Sequence, residues 1–218
     1  ILVVMYGASI LRSVFEEKRN RISEIVVSSI SAGRFLTGKI LGVGAAAVLQ
    51  VVIWAVIVFA IMGLPILPVP SDTLALLSVD PGVAAALLFF FLVGFFLYAS
   101  MFAALGAASS SEQDAQSMQG LLFVPIIVPL LFMGTVINDP AGRTAQVLSL
   151  IPFTSPITMP MRLASAPVPA GEIVTSALVL FAMLLLVTWS AGKMYRIGIL
   201  STRKRPALVD LYRWVRTA

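Results

Sequence analysis

Long uncharged runs separated by short polar intervals set the pattern of this chain. Four runs carry no charged residue: Ile40–Leu64, Val83–Ser111, Ala115–Asn138 and Ile173–Gly192. Each is long enough for the roughly 20 apolar residues that take a helix across the ~30 Å hydrocarbon layer of a membrane. Backbone groups in lipid must be satisfied within the segment, which predicts helices. The period-two alternation that a membrane barrel needs is absent. The expected spans are about 37–64, 83–108, 118–138 and 172–195, in an all-α polytopic membrane helix bundle covering 37–198. A fifth apolar run, Ile1–Leu11, covers only about half a crossing at ~1.5 Å per residue. It lacks a basic leader and a cleavage site, so it reads as the end of a truncated transmembrane span and not as a signal peptide. The chain is therefore expected to be the C-terminal portion of a longer protein.

Thr144–Met161 is also uncharged, but Pro152, Pro156 and Pro160 would interrupt a helix three times. It is expected to form short helices or a re-entrant segment, about 144–163, on the outer side. The stretch Pro65–Gly82 carries Pro65, Pro68, Pro70 and Pro81 without Lys or Arg, as an outer loop should.

Composition agrees with the pattern: 59% of residues are hydrophobic and 11% charged, against about 25% charged in an ordinary soluble domain. Cysteine and histidine are both absent. Disulfides, thiolate or imidazole metal sites, and Cys- or His-based catalysis are thereby excluded, and no metal ligand set is expected.

Charge then orients the bundle. Arg12, Lys18, Arg19, Arg21, Arg34 and Lys39 precede the first full span, and Lys193, Arg196, Arg203, Lys204, Arg205, Arg213 and Arg216 follow the last; these hold all but two of the 15 basic residues. The positive-inside rule assigns both clusters to the cytoplasm, with an even number of spans between them. The net charge of +5 thus points to a lipid bilayer and not to nucleic acid.

The segment 12–36 mixes acids with bases. Phe15, Ile22, Ile25, Val26 and Ile30 fall on one helical face, and Glu17 and Arg21 stand four apart on the other. Gly33 reads as a C-terminal stop, and Thr37 as a cap for the following span. A charged amphipathic helix between two spans suits either the lipid interface or a protein partner. Glu16, Glu17 and Glu24 favour a protein, because anionic headgroups repel them.

Glu16-Glu17-Lys18-x-Asn20-Arg21-Ile22-x-Glu24-Ile25-Val26-x-Ser28-Ser29, followed by Gly38-Lys39-Ile40-Leu41-Gly42, resembles the NatB-like permeases of the type-2 ABC exporter family. Ile151-Pro152-Phe153-Thr154-Ser155-Pro156 with Met159-Pro160-Met161-Arg162-Leu163 is similar to that family's outer segment before the last span, marked here by Pro152, Pro156 and Arg162. Arg205-Pro206-Ala207-Leu208 with Trp214 resembles its tail, and Ser111-Glu112-Gln113-Asp114-Ala115-Gln116 matches its inner loop more loosely. The resemblance runs across nearly the whole chain. It implies that the amphipathic segment is a cytoplasmic coupling helix docking on a separate ATPase subunit, with Glu16, Glu17, Lys18, Asn20, Arg21 and Glu24 as contacts. It also implies a second permease copy, ATP and Mg bound only by the partner, and a place in the bacterial inner membrane with the C-terminus cytoplasmic.

Four local features remain. Gly33–Lys39 fits G-x-x-x-x-G-K, but Ile40 replaces the Mg-binding hydroxyl and no strand precedes it, so ATP is assigned to another chain. Gly38-x-x-x-Gly42 is expected to pack closely within the bundle, with Lys39 snorkelling to the inner headgroups. Pro125 and Pro129 should bend the third span, either as a static kink in a packed bundle or as hinges for alternating access. The tail 199–218, with Leu208, Leu211, Tyr212 and Val215 on one face, reads as a basic amphipathic helix on the inner leaflet.

The expected function is an export permease driven by ATP hydrolysed elsewhere, its substrate Na⁺ or a drug-like or lipid-like molecule. The alternative is an ion-coupled secondary transporter or channel. Such proteins bury ionisable residues in their spans, and the four runs here contain none.

Overall fold

The computed structural model describes residues 2–19, 32–62 and 80–200. Among them are eight helices: α1 (Leu2–Arg19), α2 (Ala32–Met62), α3 (Pro81–Ala108), α4 (Glu112–Leu131), α5 (Met133–Asn138), α6 (Arg143–Leu150), α7 (Ser155–Ser165) and α8 (Ala170–Leu200). Four of these, α2, α3, α4 and α8, are long and apolar enough to cross a membrane. The molecule is an all-α polytopic membrane bundle. Asn20, Arg21, Glu24, the loop 63–79 and the tail from residue 201 lie outside the described residues.

Helix α3 is the axis of the bundle, packing most extensively on α8 and α1 and also on α7, α4 and α2. Its sequence explains why. Ala99, Ala103, Ala104, Gly106 and Ala107 line a buried flank on which other backbones can lie close. A Cβ added at Gly106 would stand 2.6 Å from the Leu11 carbonyl oxygen of α1, and the Phe102 ring fills the space beside Gly7. Asp80 starts α3 by accepting hydrogen bonds from the Gly82 and Val83 amides at 2.7 and 3.2 Å, with Pro81 at the first helical position.

Three polar ties cross the apolar interior. Tyr6 donates to Gln50 Oε1 at 2.7 Å, joining α1 to α2. The Ser100 and Thr188 hydroxyls meet at 3.0 Å between α3 and α8. Tyr98 donates to the Phe153 carbonyl at 2.6 Å, joining α3 to the turn before α7. By contrast, the outer surfaces of α2, α4 and α8 expose Val52, Ile53, Trp54, Leu121, Leu131, Leu178 and Leu186, a surface that suits lipid.

Several boundaries differ from the sequence reading. Helix α1 continues unbroken through Leu11–Arg12 to Arg19. Helix α2 begins at Ala32, so Gly33 is helical and the Thr37 hydroxyl bonds back to the Gly33 carbonyl at 2.9 Å instead of capping a later start. The phosphate-loop lookalike is therefore helix, not loop. A Cβ added at Gly38 or Gly42 would meet nothing within 4 Å among the described residues, and the close glycine contact on α2 is Gly44 against Phe96, at 2.6 Å from an added Cβ. The third apolar run is not one helix: α4 ends at Leu131, Phe132 adopts φ −94 and ψ 7, and α5 follows. The amides removed by Pro125 and Pro129 leave the Leu121 and Pro125 carbonyls without their helical partners, which weakens this stretch.

The segment 144–163 forms two short helices, α6 and α7. Pro152 lies in the turn and Pro156 in the first turn of α7, while Pro160 sits inside α7 without ending it. Pro160 removes the amide that would bond the Pro156 carbonyl, yet α7 continues past it to Ser165.

Candidate functional site

Chain direction gathers the charges at two ends of the bundle. The C-termini of α1, α3 and α8 and the N-termini of α2 and α4 share one end, which carries Arg12, Glu16, Glu17, Lys18, Arg34, Lys39, Asp114, Lys193 and Arg196. The opposite end, built from α5, α6, α7 and the start of α8, carries Arg143, Arg162 and Glu172.

At the first end, Ser13 and Glu17 stand one turn apart on α1 and face α2. Lys39 Nζ lies 2.5 Å from Glu17 Oε1 and donates to Ser13 Oγ at 2.8 Å, with its charge 5.7 Å from the Phe35 ring centroid. Tyr195 of α8 donates to the other carboxylate oxygen of Glu17 at 3.2 Å. The Glu17 and Lys39 side chains are only 17% and 14% exposed, so solvent screens the pair little. Lys39 is therefore engaged across helices, where the sequence pattern led one to expect a side chain reaching for headgroups. Beneath the pair, Ile10, Val14, Leu36, Ile40, Ala191 and the buried Tyr195 join the same three helices in one apolar layer.

Lys18, the next residue, points to α3 instead. Its ammonium donates to the Ala107 and Ser109 carbonyls at 2.9 and 3.1 Å, the helix end where unsatisfied carbonyls favour a cation. Burial pushes the Lys18 pKa below its usual value, and Asp114 opposes that shift. Asp114 itself belongs to the cap of α4, where Ser111 Oγ accepts from the Asp114 amide at 3.1 Å and Asp114 Oδ2 accepts from Ser110. Glu16 turns outward and is exposed. With Arg12, Phe15, Gln116 and Gln119 it lines a recess of about 130 Å³ between α1 and α4. Three consecutive charged residues thus face three directions. Of the six predicted contacts, the described ones are Glu16, Glu17 and Lys18, and only Glu16 is exposed.

At the opposite end Arg162, its side chain 2% exposed, is the largest fully buried residue. Its Nε donates to the Pro140 carbonyl at 2.7 Å, one terminal nitrogen to Ser149 Oγ at 2.7 Å, and the other to Glu172 Oε2 at 2.6 Å. The fork therefore joins the loop after α5 to α6 and α8. Ser176 donates to the Ser149 carbonyl and seals the same corner. Glu172, Ser149 and Ser176 also line a recess of about 290 Å³ with Gln146, Leu150 and Thr175. Pro156 packs directly on Gly94 of α3, leaving no room for a side chain there.

Sequence reasoning singled out Arg162 without its partners. The signal was available: Arg162 and Glu172 are the only charges between Arg143 and Lys193, and an arginine buried in apolar surroundings needs an acid. Nothing in the sequence pointed to Tyr195 or Ser13. Between the two ends, Val3, Val4, Trp54, Phe91, Gly94, Phe95, Tyr98, Ile126, Pro156 and Ile157 line an apolar cavity of about 370 Å³. Among the described residues no group of three or more acids could hold a metal ion.

Comparison with known proteins places this architecture. The family model described as "ABC-2 family transporter protein" matches residues 1–193. The uncharacterized protein MJ1024 of Methanocaldococcus jannaschii is 31% identical over 191 residues, covering 88% of this chain and 45% of its own length. The uncharacterized protein YhaP of Bacillus subtilis is 26% identical over 205 residues, covering 91% of this chain and 48% of its own length. The chain thus spans about half the length of these curated relatives. No solved structure matches it. With four apolar crossing helices and a family match over nearly its whole length, this chain belongs to the ABC-2 family of membrane transporters.

Proposed function

We propose that this chain is the membrane-embedded half of a NatB-like ATP-driven exporter, working as a pair of permease copies on ATPase subunits that hold ATP and Mg. The carrying observation is the charged end of the bundle, where α1 and α2 come together around the connection 20–31 in a member of a transporter family. The positive-inside rule supports reading this end as cytoplasmic, with the C-terminus on the same side, and we take the membrane to be a bacterial inner membrane. Glu16, together with Asn20, Arg21 and Glu24, then offers the partner its charged contacts, and this segment acts as the coupling helix. The bend after Pro125 and Pro129 supplies a hinge in the third crossing.

The apolar lining of the 370 Å³ cavity favours an amphipathic or lipid-like cargo over Na⁺, since a bare cation needs oxygen ligands at close range. An ion-gradient mechanism finds less support, because charges in α2, α3, α4 and α8 stay near the helix ends.

The test reconstitutes the complete protein with its ATPase subunit in vesicles. Transport of a fluorescent amphipathic cation should require ATP and stop with a hydrolysis-dead ATPase. Glu16→Lys and Glu24→Lys should each weaken ATPase binding about tenfold, the cost of a charge pair turned repulsive at an interface rim. Uptake driven by an ion gradient without ATP would refute the exporter reading.

A further inference from the structure

We propose that Glu17 is a positioning residue that transmits movement of the α1–α2 connection into α8, and that it does not bind the ATPase subunit itself. This inference rests on the exporter reading and assigns a different task to one of that reading's own contact residues.

The geometry carries the argument. Glu17 lies on the last turn of α1, and Lys39 two turns into α2, so their pair clips together the two stems of the segment 20–31. A push on that segment then moves both stems as one body and does not splay them. The second carboxylate oxygen accepts from Tyr195, which brings α8 into the same clip. Tyr195 is fully buried, with Phe35 of α2 beside it at 6.3 Å between ring centroids, so its hydroxyl has little freedom. The apolar layer of Val14, Leu36, Ile40 and Ala191 backs all three helices. Coupling across a packed bundle needs such a chain of contacts between rigid elements.

Burial excludes the alternative task. For Glu17 to reach a protein below the membrane it would have to leave Lys39, stranding a mostly buried ammonium, which is the costly way to break such a pair. Glu16 carries the same charge one position earlier and faces outward, so the docking and transmitting tasks fall on adjacent residues.

A charge-reversal cycle separates the two tasks. An otherwise cysteine-free version of the complete protein is labelled at Leu121→Cys on α4 and Leu186→Cys on α8, both exposed sites. It is embedded in vesicles with its ATPase subunit. The readouts are ATPase-subunit affinity, melting temperature, and the label-distance change on adding Mg-ATP. Glu17→Lys and Lys39→Glu should each cut the Mg-ATP response to about a tenth while affinity stays within about threefold, and the double reversal should restore at least about half of it, as expected for a directly coupled pair. Glu17→Gln and Tyr195→Phe, which keep the shape, should lower the response about threefold at unchanged affinity. Glu16→Lys should do the reverse, losing affinity and keeping the response at saturating ATPase.

The proposal is overturned if a double reversal melting like wild type stays as unresponsive as the single variants. Where the double reversal does not fold, an unchanged response in both Glu17→Gln and Tyr195→Phe overturns it equally. A tenfold affinity loss in Glu17→Gln with a normal response would make Glu17 a docking contact. A wild-type protein that binds no ATPase subunit would bring down the exporter reading first, and the transmission with it.

Discussion

The two ends of this bundle each bury a cation, and they hold it differently. At the α6–α8 end a single guanidinium spreads its donors over a loop carbonyl, a serine and a glutamate, all in fixed directions. At the other end Lys39 meets Ser13 and Glu17 as a point charge, and Tyr195 holds the carboxylate from α8. Arginine's planar fork fixes the angles between its partners, whereas an ammonium on a flexible stem tolerates their movement. The first arrangement suits a rigid corner. The second suits a clip that keeps three helices together as they move.

That contrast can be broken most directly by removing each cation. Arg162→Leu should destabilise the protein by about 3–5 kcal/mol, the range for stranding one partner of a buried pair. Lys39→Leu should cost about 2 kcal/mol, below that range because Glu17 keeps the hydrogen bond from Tyr195. Thermal melting in detergent measures both, and equal losses would erase the distinction. The conservative exchanges sharpen it: Arg162→Lys should remain destabilised by more than about 1 kcal/mol because a point charge cannot span three acceptors, while Lys39→Arg should melt close to wild type.

Backbone packing supplies a smaller contrast. Gly94→Ala should cost about 1–3 kcal/mol, since Pro156 is a rigid ring that cannot swing away. Gly42→Ala, in open space near the basic end, should be neutral or stabilising by up to about 1 kcal/mol from helix propensity. A comparably small effect is expected at Lys18→Met, about 0.5–1 kcal/mol from losing the cation at the C-terminus of α3 and diminishing with salt, read as a melting-temperature series in NaCl.

The crossing helices were legible because lipid imposes one requirement that runs along the chain. Charge must stay out of about 20 consecutive residues, and the four uncharged runs coincide with α2, α3, α4 with α5, and α8. Proline spacing suggested short helices or a re-entrant segment at 144–163, where the chain forms α6 and α7. Helix limits were less legible. Gly33 read as a stop, yet α2 starts before it, because a glycine in the first turn of an apolar helix costs only about 1 kcal/mol. The close-packing motif was misplaced for a related reason. Gly38 and Gly42 have the right spacing, but only the neighbouring helix decides which glycine is covered, and Phe96 covers Gly44.

The candidate site divides in the same way. The cluster Glu16, Glu17, Lys18 was visible as charge interrupting apolar sequence, and Arg162 was visible as an isolated cation. Sequence periodicity places successive helical residues about 100° apart, which separates Glu16 from Glu17 and Lys18 but leaves the facing elements unnamed. Those are supplied by residues distant in the chain: Lys39 and Tyr195 for Glu17, the end of α3 for Lys18.

The sequence by itself determined that the chain is a multi-pass membrane protein, which stretches are apolar enough to cross, and at which end its basic residues gather, since solvent and lipid act on each segment separately. Only the tertiary structure decided which acid is free to meet a partner and which is committed inside. Pairing depends on which helices become neighbours, and that follows from the small-residue flank of α3 and the packing around it.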